Sequence, residues 1–185
     1  MSLPWRAATG QLRRRRCRAD VRALDPHATQ GAKSQEGRAD HSLQRESMAM
    51  RIEVMSDERT DEAIALWQEA GLTRPWNDPA GDLRRALDGP ASTVLAGVEE
   101  GHLVATAMVG HDGHRGWVYY FAVSSASRRR GHGRALMQAC EEWLTRRGIP
   151  KLNLMIRGEN FGASDFYAAL GFGPDDVVVL SRRLG

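Results

Sequence analysis

The sequence predicts a mixed α+β domain: a mostly antiparallel sheet with helices on both faces. Three observations carry this expectation. Short strand-like runs joined by hairpin turns occupy the middle of the chain, two helical stretches precede them, and a strand–helix alternation closes it. The expected order is β-α-α-β-β-β-α-β-α-β, with no internal repeat.

The first 47 residues show no sustained periodicity and few large apolar side chains, and they contain the run Arg13-Arg14-Arg15-Arg16. Such a composition cannot bury enough surface to offset the entropy of ordering. Residues 1–49 are therefore expected to be a disordered basic extension, or the product of a misassigned start with the true one at Met48 or Met50. Residues 50–185 are expected to form the domain. Ile52, Val54 and Met55 make its first strand. Ala63, Ile64, Trp67 and Ala70 then recur at helical spacing until Gly71. Asp78-Pro79 reads as an N-cap followed by a first-turn proline, opening a second helix that Gly89-Pro90 terminates. Residues 93–99, 103–110 and 116–123 read as three strands, linked by turns at Glu100-Gly101 and Asp112-Gly113. A helix over 134–147, a strand over 152–156, a helix over 162–170 and a closing strand over 177–184 complete the order.

Charge is unevenly spread. Residues 1–49 carry ten Lys/Arg against five Asp/Glu, a net of +5; residues 50–185 carry sixteen against eighteen, a net of −2. The basicity thus belongs to the extension, and a slightly acidic body argues against a nucleic-acid groove built into the domain. Two cysteines, Cys17 and Cys140, make neither a disulfide framework nor a metal set, so a reducing, cytoplasmic setting and no metal are expected. No apolar run approaches the ~18 residues of a membrane span, so no membrane partner is expected.

The most informative stretch is Phe121-Ala122-Val123-Ser124-Ser125-Ala126-Ser127-Arg128-Arg129-Arg130-Gly131-His132-Gly133-Arg134. An apolar strand ends at Val123 and a helix opens at two glycines. Unpartnered amides at a helix start, the helix dipole and four flanking arginines suit a pyrophosphate. A nucleoside-triphosphate loop is excluded because no Gly-Lys-Ser/Thr follows, and Leu136 stands where a dinucleotide fingerprint needs its third glycine. The bland alternative is a solvated arginine cluster beside an ordinary helix start.

With Phe121-Ala122-Val123 before Arg128-x-x-Gly131-x-Gly133, and Asn160 before Phe166-Tyr167 and Leu170-Gly171-Phe172, residues 50–185 resemble the GNAT superfamily of acetyl-CoA-dependent N-acetyltransferases. Within it the ribosomal-protein alanine acetyltransferases are a general likeness. The resemblance implies direct transfer of acetyl from acetyl-CoA to an amine in a ternary complex, without an acetyl-enzyme. The acceptor would be a small molecule or a protein N-terminus or lysine. By the same resemblance Arg128, Arg129, Arg130, Gly131, His132, Gly133 and Arg134 hold the pyrophosphate. Phe121, Ala122 and Val123 pair with the pantetheine arm and polarise the thioester, Asn160 contacts the pantetheine, and Tyr167 protonates the leaving thiolate. Met155 stands where the alanine acetyltransferases carry a glutamate resembling a general base, so the base must lie elsewhere or be a water chain. His111, Asp112, His114 and Tyr119 are candidates by type alone.

Each of these residues also has a structural reading. Tyr167 is a core aromatic, Asn160 a helix N-cap, Gly171 a helix terminator with Phe172 packed back on it, and Cys140 a small buried residue. Arg74 and Trp76 either line the acceptor pocket or fix the second helix. Two other functions compete: a non-catalytic acyl-CoA-binding sensor, and a nucleic-acid-associated protein acting through its basic extension.

Overall fold

The computed structural model describes residues 49–157 and 160–184, so the expected basic extension lies outside them except for its last residue. The elements are β1 (Arg51–Val54), α1 (Thr60–Glu69), α2 (Pro79–Asp88), β2 (Ser92–Glu99), β3 (His102–His111), β4 (Gly116–Val123), α3 (His132–Thr145), β5 (Leu152–Leu154) and α4 (Phe161–Ala168). Short 3-10 turns at Asp57–Arg59 and Ser125–Ser127 precede α1 and α3. The sheet runs β1-β2-β3-β4-β5, antiparallel up to β4, with β5 parallel to β4.

The mixed, mostly antiparallel class with helices on both faces is as expected, and the order holds through α4. The closing strand expected over 177–184 does not form. The backbone there is irregular, and Val177, Val178, Val179, Leu180 and Leu184 are exposed. A strand needs a ladder partner, and the neighbouring β5 is only three residues long, already paired with β4. Four consecutive aliphatics also lack the alternation that would place one face on a core. β5 itself ends at Leu154 rather than 156, where it turns away from β4.

Local chemistry explains the boundaries. The Asp78 side chain accepts from the Gly81 amide at 2.9 Å with Pro79 in the first turn, which starts α2 where the sequence places it. Beyond α4, Gly171 adopts φ +91° and lets the Phe172 amide donate to the Tyr167 carbonyl at 3.0 Å. Phe172 then packs its ring on Tyr167, 5.8 Å between centroids.

The sheet separates two apolar layers. On one face Trp67, Leu66 and Ala63 of α1 and Leu83 and Ala86 of α2 cover Val94, Ala96, Val98 and Ala122. On the other, Leu136, Met137, Cys140, Trp143 and Leu144 of α3 cover Leu95, Ala105, Ala107, Val109 and Val118, with Tyr167, Leu170 and Phe172 packed at their margin. Trp67 is fully buried, a burial that contributes ~2–3 kcal/mol. Its indole N–H donates to the Thr106 hydroxyl at 2.8 Å, so no polar atom of the ring is stranded.

One irregularity positions the site. Met108 pairs with Tyr119 and Thr106 with Ala122, so Ala107 of β3 faces two residues of β4, Tyr120 and Phe121. This is a β-bulge, and it flips the phase of the strand. Val118 faces α3, yet Tyr120 and Ala122 face α1 and α2, while Phe121 and Val123 turn to the α3 face. Tyr120 carries φ +46°, a conformation that costs a non-glycine residue ~1 kcal/mol or more. The Thr106 hydroxyl donating to the Tyr120 carbonyl at 3.2 Å and Trp67 stacked on its ring at 4.1 Å hold it there.

Candidate active site

The turn between β4 and α3 is the stretch that the sequence singles out. The Ser125 amide donates to the Glu69 carboxylate at 2.8 Å, tying the turn to the end of α1 and holding that carboxyl below its usual range. Gly131 caps α3 at φ +88°, a left-handed conformation that favours glycine and turns the chain into the helix. Among the described residues, no acceptor meets the backbone N–H groups of Arg128, Arg129, Arg130 or Gly131. The first-turn amides of His132, Gly133 and Arg134 have no partner inside the helix by construction. Seven adjacent amides at the start of a 14-residue helix are therefore left without a backbone acceptor among the described residues, with the helix dipole behind them. At Gly133 a Cβ would stand 3.0 Å from the Phe166 ring, so the missing side chain admits α4 against the start of α3.

The flanking side chains are less available than their sequence position implies. Arg130 donates through both terminal nitrogens to Glu99 at 2.7 Å each, and the buried His132 ring lies 3.6 Å from the same carboxylate. Arg128 Nε reaches back to the Val123 carbonyl at 3.4 Å, and Arg134 to the Ala169 carbonyl at 3.3 Å. Among the described residues Arg129 enters no ion pair. Ala122 is buried under α1 and α2, so its backbone alone can face a ligand.

β4 and β5 pair only from Gly116 to Val118, against Leu152 to Leu154. Beyond that they splay, leaving the β4 edge from Tyr119 to Val123 without a strand partner on that side among the described residues. A cavity of about 1050 Å³ opens along the split. Tyr119, Tyr120, Phe121, Met155, Asn160 and Tyr167 line it from β4, the segment after β5 and α4, while Arg74, Asn77 and Asp82 line it from α2 and the loop before it.

Tyr167 packs edge-on to Phe121, 6.0 Å between centroids. Burial pushes its phenol up to about 12, with the nearby Cys140 adding to the effect, so it holds its proton throughout the neutral range. Asn160 caps α4 by accepting from the Ala163 amide at 3.2 Å, and it still reaches the cavity wall. Of the residues proposed as a base by type, His111, Asp112 and Tyr119 line the cavity and His114 does not. Asp112 Oδ1 accepts the Arg115 and His114 amides at 2.7 and 2.8 Å, which holds its carboxyl below the usual range and engages it in the turn. Arg74 lines the cavity with its guanidinium on the Gly71 and Thr73 carbonyls, whereas Trp76 is exposed beneath Arg183 at 4.7 Å.

A further group on the α1–α2 side is not singled out by the sequence. The Tyr120 hydroxyl donates to Asp82 Oδ2 at 2.7 Å and accepts from Asn77 Nδ2 at 2.9 Å. These residues are 38 and 43 positions apart in the chain, and no local pattern links them. The only sequence signal is the polar pair Asn77-Asp78 opening α2.

Comparison with known proteins matches the model of the acetyltransferase (GNAT) family over residues 53–172. An acetyltransferase of Yersinia pestis is 38% identical over 135 residues, covering 73% of this chain and 96% of its own. One from Sodalis glossinidius is 40% identical over 136 residues with the same coverage. Among solved structures, a putative acetyltransferase from Agrobacterium tumefaciens aligns at TM-score 0.62 and 18% identity, over 72% of this chain and 99% of its own. A ribosomal-protein-alanine N-acetyltransferase from Brucella melitensis aligns at 0.60 and 20%, over 73% and 99%. The aminoglycoside acetyltransferase AAC(6')-Iy, bound to a bisubstrate analogue, aligns at 0.63 and 19%, over 74% and 99%. These three likenesses speak for the fold.

The chain belongs to the acetyltransferase (GNAT) family. It is an acetyl-CoA-dependent enzyme that moves an acetyl group directly onto an amine, and nothing in the comparisons supports a coenzyme sensor without turnover. Among the described residues there is no cluster of His, Cys, Asp or Glu that could hold a metal, and no helix is long and apolar enough to cross a membrane.

Proposed function

We propose that the free amides of Arg128, Arg129, Arg130, Gly131, His132, Gly133 and Arg134 bind the coenzyme pyrophosphate, with Arg129 adding a cation. In this reading the unpaired edge of β4 at Phe121, Ala122 and Val123 receives the pantetheine arm as an added strand would. Asn160 contacts that arm from the other lip, and a β4 amide polarises the thioester carbonyl. Tyr167, protonated and facing the same split, gives its proton to the departing thiolate. The single observation that carries the reading is the divergence of β5 from β4 after Leu154, which frees the edge of the strand that leads into the turn with the free amides.

The acceptor reaches the thioester from the α1–α2 side. It is a primary amine, presented by a small molecule, a protein N-terminus or a lysine, and a cytoplasmic enzyme would meet all three. Calorimetry with CoA and acetyl-CoA tests the donor half. Turnover across an amine panel that includes amino acids, an aminoglycoside and an alanine-initiated peptide tests the acceptor half. A folded protein that ignores both coenzyme forms at millimolar concentration would overturn the assignment of the turn.

A further inference from the structure

Met155 occupies the position at which the alanine acetyltransferases carry their glutamate, and three of the four candidates chosen by residue type do reach the cavity. Asp112, however, is engaged by amides of its own turn, and His111 Nδ1 accepts from the Gly113 amide at 3.1 Å. The Tyr120 group differs in its hydrogen-bond arithmetic. A phenol has one proton and two lone pairs. The proton goes to Asp82 and one lone pair takes the Asn77 amide. The Asn77 orientation follows, because its carbonyl would find no proton on Tyr120. One lone pair remains, on a residue that lines the cavity together with Asn77 and Asp82. Its ordinary role as donor is closed, so the group can only accept from what enters, and an amine N–H is such a donor.

The backbone reinforces this placement. Tyr120 sits at the bulge with φ +46°, and regular alternation would have sent its side chain to the α3 face instead. Stacking on Trp67 and the bond from Thr106 keep the ring in place. Burial and the Asp82 carboxylate hold the phenol above its ordinary value, so the oxygen keeps its own proton and takes another only as that one passes on. Asp82 is the recipient in contact with it, partly exposed and paired to Arg85 at its other oxygen.

We propose that Tyr120 and Asp82 form the proton exit for the acceptor amine. The ammonium gives a proton to the Tyr120 oxygen as the hydroxyl proton passes to Asp82. The neutral amine then forms the C–N bond, and the C–S bond breaks. The thiolate takes the Tyr167 proton, and Tyr167 regains one from the newly acylated nitrogen. The net yield is amide, thiol and one proton, which leaves from Asp82 to solvent. This proposal rests on the cavity being the transfer site.

Two small nucleophiles that need no recognition separate the roles: ethylamine, protonated at neutral pH, and methoxyamine, neutral there. For Tyr120→Phe, which keeps the ring on Trp67, and for Asp82→Asn, kcat with ethylamine should fall about 100-fold. With methoxyamine it should fall less than about threefold, and acetyl-CoA affinity by calorimetry should stay within about twofold. Equal losses with both nucleophiles, or no loss with ethylamine, overturn the proton exit while leaving the transfer site intact. Wild-type protein that binds acetyl-CoA yet accelerates neither nucleophile overturns the proposal and the acceptor half of the site. Failure to bind acetyl-CoA at all removes the site reading itself.

Discussion

Arg130 closes both terminal nitrogens of its guanidinium on the Glu99 carboxylate, 2.7 Å each, linking the turn before α3 to the end of β2. Glu99 is almost buried while Arg130 is half exposed, so the pair is a tether anchored at its acidic end. Arg130→Ala leaves a buried carboxylate facing only the His132 ring. Because one side meets solvent, the cost should fall below the ~3–5 kcal/mol of a fully buried pair, at about 2 kcal/mol by urea unfolding. The turn loses its tether too, so acetyl-CoA affinity should drop several-fold. Arg130→Lys cannot make two parallel bonds and should recover only part of either. Unchanged stability in Arg130→Ala would show the tether to be ornamental.

Gly131 and Gly133 stand two residues apart but serve different ends. A Cβ added at Gly131 would meet nothing within 4 Å, so the requirement there is the backbone angle alone. Gly131→Ala should cost about 1 kcal/mol and pull the free amides out of register, weakening acetyl-CoA binding. At Gly133 the angle is ordinary and the neighbour is the Phe166 ring. Gly133→Val should displace α4, and with it Tyr167, lowering kcat more than coenzyme affinity. Calorimetry and steady-state kinetics on both variants distinguish the two, and identical patterns would contradict this division.

Much of this was legible in the residues because the deciding interactions are local. The Asp78-Pro79 cap, the limits of β4, the Gly171 terminator and the two glycines opening α3 depend on close neighbours in the chain. What escaped depends on pairs far apart. Arg130 reads as an anion ligand until Glu99, 31 positions away, is seen to hold it. The Tyr120 bulge is invisible because a single extra residue in β4 leaves the apolar run Phe121-Ala122-Val123 unchanged. The run Val177-Val178-Val179-Leu180 has strand composition, yet composition cannot supply the missing ladder partner.

Tyr167→Phe removes the phenol proton while keeping the ring against Phe121 and Phe172. If Tyr167 protonates the leaving thiolate, kcat should fall about 100-fold with acetyl-CoA affinity unchanged. Since its phenol titrates only near about 12, Tyr167 should impose no alkaline limb on the wild-type kcat profile between pH 6 and about 9. A limb that disappears in Tyr167→Phe would assign it a base role instead. A variant with full turnover would leave Tyr167 as packing alone.

Cys140 and Tyr167 together should set the alkaline limit of the fold. Burial pushes the Cys140 thiol from 9.0 up to about 12, with the Glu141 carboxylate adding to it, and Tyr167 rises from 10.0 to about 12. Both groups are neutral when protonated, so below pH 9 folded and unfolded chains bind these protons alike and stability is full. Above 9 the unfolded chain releases its thiol proton while the folded chain keeps it, and above 10 the phenol follows. The unfolded state then binds fewer protons, so unfolding free energy falls as pH rises, by up to about 1.4 kcal/mol per pH unit for each group until the folded values near 12 are reached. Urea titrations from pH 8 to 11 should show this decline. Cys140→Ala, despite a small cavity cost at every pH, should flatten the slope from 9 upward, and adding Tyr167→Phe should flatten it further above 10. A slope that survives both substitutions would mean that other groups carry the alkaline unfolding and that neither side chain is buried as the packing of α3 against α4 requires.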